Sequence, residues 1–192
     1  MIVAIILAAG ESRRMGQPKM LMPWGSSTVL QTVIATVQTA GVKDIVVITG
    51  GAHEQIESLI GQSAQTLFNE NYAQGEMLGS LQAGLQMKKS EASAALICLG
   101  DQPQIQARSV QRILREYKET GAAIIVPSYQ MRRGHPWLVG RSHWDTILKM
   151  HAPDSPREFL NRHSRELHYV EMDTPTILQD LDTPEDYLKS RP

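Results

Sequence analysis

The sequence has almost no cysteine, no long hydrophobic run and almost no net charge, and each shortage excludes a class of protein. Cys98 is the only cysteine, which excludes an intramolecular disulfide and a zinc cluster built on thiolates. The formal net charge of −1 gives no field that would draw the chain to nucleic acid or to an anionic membrane. The opening apolar run, residues 2–6, is too short to span a bilayer and lacks a basic n-region. We therefore expect a cytoplasmic protein whose partners are small molecules.

Short apolar runs alternate with amphipathic helical patterns over most of the chain. Runs that are apolar on both faces are typical of the inner strands of a parallel sheet that is covered by helices on each side. This alternation predicts an α/β fold, a doubly wound and mostly parallel sheet in one domain. The predicted strands are residues 2–7, 45–49, 65–68, 94–99 and 123–126, with later candidates at 137–139 and 167–170.

Helix signals lie between these runs. Thr28 with Gln31 predicts a capping box at the start of a first helix, and Gly41 is placed to follow its end. Thr183 as N-cap and Pro184 at the first helical position predict a last helix. Further helices are predicted at residues 54–60, 77–87 and 108–119, with shorter ones around residues 144–148 and 159–160.

The loop after the first strand combines small residues with basic ones. It comprises Leu7, Ala8, Ala9, Gly10, Glu11, Ser12, Arg13, Arg14, Met15, Gly16, Gln17, Pro18 and Lys19. Small residues let backbone N–H groups approach an anion, and guanidinium and ammonium groups neutralise it. The glycine spacing is neither that of a Walker A loop nor Gly-x-Gly-x-x-Gly. Arg14 and Lys19 are stronger phosphate-binding candidates than Arg13, while Ser12 either donates to a phosphate or caps a turn.

Two aspartates are expected near the carboxyl edge of the sheet, where ligands of such folds bind. Asp101 follows the strand at 94–99, and Asp182 immediately precedes the last helix. Two carboxylates brought together repel each other unless a cation lies between them, and carboxylates with substrate phosphates are the usual ligands of Mg²⁺. The alternative for each is a turn or capping role, and Asp180 is expected to be structural.

Two other segments are candidates for binding the rest of a ligand. Gly75, Gly79 and Ser80 lie at the start of the helix at 77–87, where a base or ribose could dock, although an ordinary helix start is an equal alternative. His135, held between Gly134 and Pro136, suits either substrate positioning or a plain turn. We expect Met77 and Leu78 in the core, the three tryptophans in packing roles, and the remaining histidines, His53, His143, His151, His163 and His168, at the surface.

Four motifs in order resemble those of the molybdenum cofactor cytidylyltransferase family, a group of MobA-like and MocA-like NTP transferases. The first is the Leu7–Lys19 loop. The second is Gly-Asp-Gln-Pro at residues 100–103, and the third is Gly-His-Pro at 134–136. The last is Asp-Leu-Asp-Thr-Pro-Glu-Asp at residues 180–186. Together they extend over nearly the whole chain, which makes the resemblance specific.

The resemblance implies a Rossmann-like nucleotidyltransferase fold and assigns roles to the matching residues. It implies that Arg14 and Lys19 bind the triphosphate and act in catalysis with Asp101, and that Asp101 and Asp182 hold Mg²⁺. It implies a nucleotide-binding part at about residues 1–105 and an acceptor-binding part at about 106–192 of a single domain. The implied nucleotide-binding residues are Leu7, Ala8, Ala9, Gly10, Ser12, Arg13, Gly16, Gly75, Gly79, Ser80 and His135.

The implied reaction joins CMP from CTP to the phosphate of a molybdopterin-type cofactor, for use by a molybdenum hydroxylase. The Ala-Ala-Gly opening and the segment from Gly75 to Ser80 resemble the cytidine-selecting members. Asp154-Ser155-Pro156-Arg157 departs from the Gly-Ala-Arg of many members, in a region expected near the acceptor. The alternatives are a transferase that uses GTP or a sugar or polyol phosphate, and a carrier that delivers the cofactor to an apo molybdenum hydroxylase without catalysis.

Overall fold

The computed structural model of the protein describes residues 1–74 and 77–192. Its main sheet is formed by β1 (Ile2–Ala8), β4 (Asp44–Thr49), β5 (Gln65–Phe68), β6 (Ala94–Leu99), β7 (Ile124–Tyr129), β8 (Arg132–Arg133), β9 (Trp137–Gly140) and β10 (Leu167–Glu171), and a small hairpin is formed by β2 (Pro23–Trp24) and β3 (Ser27–Thr28). The α-helices are α1 (Val29–Thr39), α2 (His53–Ile60), α3 (Met77–Met87), α4 (Ala107–Thr120), α5 (Trp144–Leu148), α6 (Pro156–Arg162) and α7 (Pro184–Ser190).

The strands follow the order β10-β7-β9-β6-β1-β4-β5, with β8 on β7. The pairs of β1 with β4 and β6, of β4 with β5, and of β10 with β7 are parallel. β9 lies antiparallel between β6 and β7, so that Leu138 pairs with both Leu96 and Ile125. The predicted mostly parallel α/β sheet is confirmed, with β9 as an inserted antiparallel strand.

Alternate residues of β1 enter two cores, one on each face of the sheet. Ala4 and Ile6 pack with α1, α2 and α4, whereas Val3 and Ile5 pack with α3, α5 and α6. All four side chains are 0% exposed. This explains why the first strand is apolar at every position, and it confirms that helices cover both faces.

The predicted element boundaries agree with the structure to within a few residues. The strands at 65–68 and 94–99 match β5 and β6, while β7 begins one residue later and ends three residues later than predicted. Thr28 caps α1 by accepting a hydrogen bond from the Gln31 N–H at 3.3 Å. The predicted capping box is incomplete, because Oε1 of Gln31 accepts hydrogen bonds from the Ser27 and Thr28 hydroxyl groups and not from the Thr28 N–H. Thr183 caps α7 in a complete capping box with Asp186.

Other predictions concern burial. Cys98 is buried, as expected, and burial raises the pKa of its thiol above the ordinary value. Trp137 and Trp144 are each 1% exposed and belong to the core of α3, α5 and α6. Among the helices that the structure describes, none has the length and apolar composition needed to cross a membrane.

Leu81 tests the contribution of the α3 core to stability, because its side chain is 0% exposed. We expect Leu81→Ala to lower the free energy of unfolding by about 2–5 kcal/mol, since it removes buried methyl groups and leaves a cavity. The matched control is Leu188→Ala on α7, where the leucine is 59% exposed and the expected change is within about 0.5 kcal/mol. Urea unfolding measures both, and equal losses for the two variants would contradict the described core.

Candidate functional site

A cavity of about 530 Å³ opens beyond the carboxyl ends of β1, β5 and β6. This is the edge at which doubly wound sheets bind ligands. Its lining residues come from the loop after β1, from the segment that joins β5 to α3, and from the ends of β6 and of the chain. They are Leu7, Ala9, Gly10, Glu11, Ser12, Arg13, Arg14, Lys19, Met20, Tyr72, Ala73, Met77, Ser80, Leu99, Asp101, Asp180 and Asp182.

Ser12 shapes the loop after β1. It has a positive φ of 52°, and its carbonyl oxygen accepts a hydrogen bond from the Met15 N–H at 2.9 Å. Its hydroxyl oxygen accepts a hydrogen bond from the Lys19 N–H at 3.1 Å. Of the two roles open to Ser12 in the sequence, the structure shows the turn-capping one, and this folds the backbone of Lys19 back towards the sheet.

The ammonium group of Lys19 brings the two candidate aspartates together. It forms an ion pair with the Asp101 carboxylate, lies 3.5 Å from Oδ1 of Asp182, and donates a hydrogen bond to the Leu181 carbonyl oxygen at 3.0 Å. The side chains of Lys19 and Asp101 are only 12% and 14% exposed. Residues far apart in the sequence therefore meet around one nearly buried positive charge.

The two arginines of the loop have different surroundings. Arg14 lies 3.1 Å from Oδ2 of Asp182, whereas Arg13 pairs with Glu11 at 2.6 Å. Both are exposed, and so both guanidinium groups are accessible to a ligand in the cavity. Arg14 shares its partner, Asp182, with Lys19, while the ion-pair partner of Arg13 is Glu11.

Burial is the main influence on the charge state of Asp101. It raises the pKa of the carboxyl group, the nearby Lys19 ammonium partly offsets this, and Asp180 raises the pKa further. A buried carboxylate of this kind gains stability from positive charge placed beside it. The cavity thus has one end where cations and carboxylates are concentrated.

The oxygen atoms around Lys19 fit a divalent metal ion. Two carboxylates and a backbone carbonyl already surround one cationic group there, and hard oxygen ligands are those that Mg²⁺ and Mn²⁺ prefer. Within residues 1–74 and 77–192, no group of three or more acidic, histidine or cysteine side chains has metal-ligand spacing. A metal held by Asp101 and Asp182 would therefore complete its shell with phosphate oxygens and water, as Mg²⁺ commonly does.

The opposite end of the cavity is lined by Tyr72, Ala73, Met77 and Ser80, and none of these described residues carries a formal charge. Ser80 lies in this part of the lining, and its hydroxyl oxygen accepts a hydrogen bond from the Asn69 amide at 3.0 Å. The prediction that Met77 belongs to the core is wrong. Met77 is 43% exposed because it begins α3 on the cavity side, while Leu78, one position on, is 3% exposed.

Several predicted site residues are not among those that line the cavity. Ala8 ends β1 with its side chain in the core, and Gly16 forms a turn with a φ of +69°. Gly79 lies one residue from the lining on α3, and Gly75 falls outside the described residues. His135 donates its N–H to the Ile177 carbonyl oxygen at 2.9 Å, next to Gly134, where a Cβ would collide with the same carbonyl. The Gly-His-Pro segment thus forms a tight junction rather than a cavity wall.

One histidine prediction is also wrong. His143 was expected at the surface, but its side chain is 12% exposed. It packs edge-on against Phe159 and His163, with ring centroids 5.8 and 5.1 Å apart. The sequence analysis did not identify Tyr72 and Met77 as cavity residues. The signal that could have identified Tyr72 is its aromatic side chain, which lies between Asn71 and a glycine-containing loop.

The sequence and the fold are similar to those of known proteins. A family model described as the MobA-like NTP transferase domain matches residues 4–167. The chain is 32% identical to the molybdenum cofactor cytidylyltransferase of Escherichia coli K12 over 192 residues, 99% of this chain and 95% of that one. The fold is similar to the crystal structure of Rv0371c from Mycobacterium tuberculosis H37Rv, with a TM-score of 0.86, 25% identity, and coverage of 98% and 96%. A manganese complex of Rv0371c gives a TM-score of 0.77 and 24% identity, with the same coverage.

The dependence of protein stability on pH tests the burial of His135 in the Gly-His-Pro junction. Burial lowers its pKa to about 4 in the folded protein, whereas an unfolded histidine titrates near about 6.5. Between these values the unfolded chain binds more protons, so stability is lost as the pH falls. We expect the free energy of unfolding to fall by up to about 2 kcal/mol between about pH 7 and pH 5 through this group.

Urea unfolding at the two pH values measures this difference. His135→Asn should flatten the pH dependence, while the control His151→Asn, at an exposed position, should leave it unchanged. If the free energy of unfolding of His135→Asn depends on pH as steeply as that of the wild type, the assignment of this pH dependence to His135 is wrong.

Proposed function

The chain belongs to the MobA-like NTP transferase family and is a nucleotidyltransferase, and from that premise we propose its reaction. It transfers CMP from CTP to the phosphate of a molybdopterin-type cofactor and releases pyrophosphate. The observation that carries this proposal is the convergence of Arg14 and Lys19 with Asp101 and Asp182 at one end of the cavity. The choice of base and acceptor rests on the similarity to the Escherichia coli enzyme, whose name specifies both.

The proposed nucleophile needs no general base. The second pKa of a phosphate monoester is about 6, so the terminal phosphate of the acceptor is largely a dianion at neutral pH. It attacks the α-phosphorus of CTP in line with the departing pyrophosphate, and one phosphorus–oxygen bond forms as another breaks. Repulsion between the anions and their alignment therefore make up most of the barrier that the protein must lower.

Positive side chains and backbone donors of the first loop counter that repulsion. The Arg14 side chain is 73% exposed, so it can contact a polyphosphate in the cavity and lose few buried contacts with the protein. Lys19 carries its charge at the bottom of the same cavity, and Gly10 leaves open space for a phosphate beside the backbone. Asp101 and Asp182 would hold Mg²⁺, which when bound neutralises phosphate oxygens and the leaving pyrophosphate.

The two proposed parts of the chain meet at this site. The nucleotide-binding part, about residues 1–105, supplies Lys19 and Asp101, and the acceptor-binding part, about residues 106–192, supplies Asp182. The segment that departs from the family pattern has a structural role here. Ser155 caps α6 in a capping box with Glu158, and Asp154 pairs with Arg162. These contacts stabilise the start of α6.

Asp101→Asn tests the phosphate end of the cavity. We expect Mg²⁺-dependent release of pyrophosphate to fall by roughly 10²–10³-fold, as is typical when one electrostatic contact of a transition state is lost. The isosteric amide leaves the fold intact, which thermal unfolding checks. Asp145→Asn is the matched control, since that aspartate is 67% exposed and pairs with Lys89 on another face. Near wild-type turnover in Asp101→Asn would remove Asp101 from the mechanism.

A second experiment tests the substrates. The protein is incubated with Mg²⁺ and each of the four ribonucleoside triphosphates in turn. The acceptor is molybdenum-loaded molybdopterin or, in parallel reactions, a sugar or polyol phosphate, and the product is identified by mass. We expect a CMP adduct with pyrophosphate released in equal amount. Equal use of CTP and GTP would contradict the base assignment alone, and transfer only to a sugar or polyol phosphate would contradict the acceptor. Tight binding of the cofactor without consumption of any triphosphate would favour a carrier.

A further inference from the structure

We propose that Asn69 is a positioning residue for base selection, because its buried amide fixes the hydroxyl of Ser80 as a hydrogen-bond donor towards the nucleobase. The proposal rests on the proposed function, since it concerns the base of the same triphosphate. It assigns a role to a residue that does not itself line the cavity.

The cavity has a charged end and an uncharged end, which match the phosphates and the base of a nucleotide. Lys19, Asp101 and Asp182 lie where β1 and β6 end, whereas Tyr72 and Ser80 lie beyond β5 and on α3. β5 lies two strand spacings from β1 and three from β6, which corresponds to about 10 and 14 Å. A triphosphate held at the charged end therefore directs its uncharged base towards Tyr72 and Ser80.

Asn69 joins three elements at that uncharged end. It follows β5 directly, is 9% exposed, and donates its backbone N–H to the Thr49 carbonyl oxygen of β4 at 2.9 Å. Its own carbonyl oxygen accepts a hydrogen bond from the N–H of Tyr72 at 3.1 Å. Its amide donates to the Ser80 hydroxyl oxygen on α3 at 3.0 Å. The residue thus holds the hydroxyl group of Ser80 and the backbone of Tyr72.

The orientation of the Asn69 amide is determined by its second partner. Oδ1 of Asn69 accepts a hydrogen bond from the backbone N–H of Asn71 at 3.1 Å. A backbone N–H can only donate, so the oxygen of the amide must face Asn71 and the NH₂ group must face Ser80. The direction of the hydrogen bond to Ser80 is therefore fixed by the local backbone.

This direction sets what Ser80 offers a ligand. A hydroxyl group has one proton and two lone pairs, and here a lone pair is engaged by the Asn69 amide. A base that docks against Ser80 therefore meets an O–H donor, which suits a ring carbonyl or an unprotonated ring nitrogen such as O2 or N3 of cytosine. Aspartate at position 69 would reverse this, because a carboxylate only accepts and would draw the Ser80 proton to itself.

The test compares CTP with inorganic tripolyphosphate, which has the phosphates but no base. We expect Asn69→Asp to weaken CTP binding on the order of tenfold, since a donor to the base is lost. Tripolyphosphate, measured as a competitor, should bind within about twofold of wild type, because the charged end is unchanged. Asn71→Asp is the matched control: it adds the same charge two residues away at an exposed position and should alter neither affinity.

A double-mutant cycle identifies the route through Ser80. Ser80→Ala alone should reproduce the selective loss of CTP affinity, Ser80→Thr should largely restore it, and Asn69→Asp should add nothing in the Ser80→Ala background. Ser80→Ala keeps the test valid if Asn69→Asp does not fold. Equal losses for CTP and tripolyphosphate, additive effects in the cycle, or unchanged CTP binding in Ser80→Ala would each overturn the proposal. If the wild type binds neither CTP nor tripolyphosphate, the proposed function itself fails.

Discussion

The nearly buried ammonium group of Lys19 is the interaction on which the site depends. A charge that is 12% exposed must be paired, and its partners come from the end of β6 and from the segment before α7. The same two segments are also joined by a hydrogen bond from the Leu181 N–H to the Asp101 carbonyl oxygen at 3.0 Å. Lys19 therefore holds the end of the chain over the sheet edge, and the cavity has its charged end because of that closure.

Apolar packing supports the same closure from behind. Leu181 and Tyr187 are buried against Met15, Met22 and Val29, residues of the first loop, the small hairpin and the start of α1. Tyr187 also donates its hydroxyl proton to the Pro23 carbonyl oxygen at 2.7 Å. The hydrophobic contacts place the chain end near the loop, and the ion pairs then set the positions of individual carboxylates. The segment before α7 is thus held in place both by hydrophobic packing and by ion pairs.

Much of the fold could be predicted because its cause is local in the sequence. The run at 94–99 is apolar at every position and only 6 residues long, which favours a covered strand over a helix, and it coincides with β6. The direction of β9 could not be predicted, because four apolar residues give the same pattern in either orientation. Met77 was misplaced for a related reason: an apolar residue at a helix start satisfies the helical pattern whether it faces the core or an open cavity. The charged site residues could be identified from their motifs. The distances between their side chains could not be predicted, because they depend on how β1 and β6 pair in the folded sheet.

The two ends of the cavity are built on different supports, and this has a physical consequence for selectivity. The charged end depends on Lys19 and the segment before α7, whereas the uncharged end depends on Asn69, which ties β4, β5 and α3 together. β5 lies two and three strand spacings, about 10 and 14 Å, from β1 and β6, where the charged end is built, and both spacings exceed the Debye length of about 8 Å at physiological ionic strength. Charges at one end are therefore largely screened at the other wherever the open cavity admits solvent. The preference for a base can change at the β5 side, through hydrogen-bond direction alone, without altering the electrostatics on which phosphate chemistry depends.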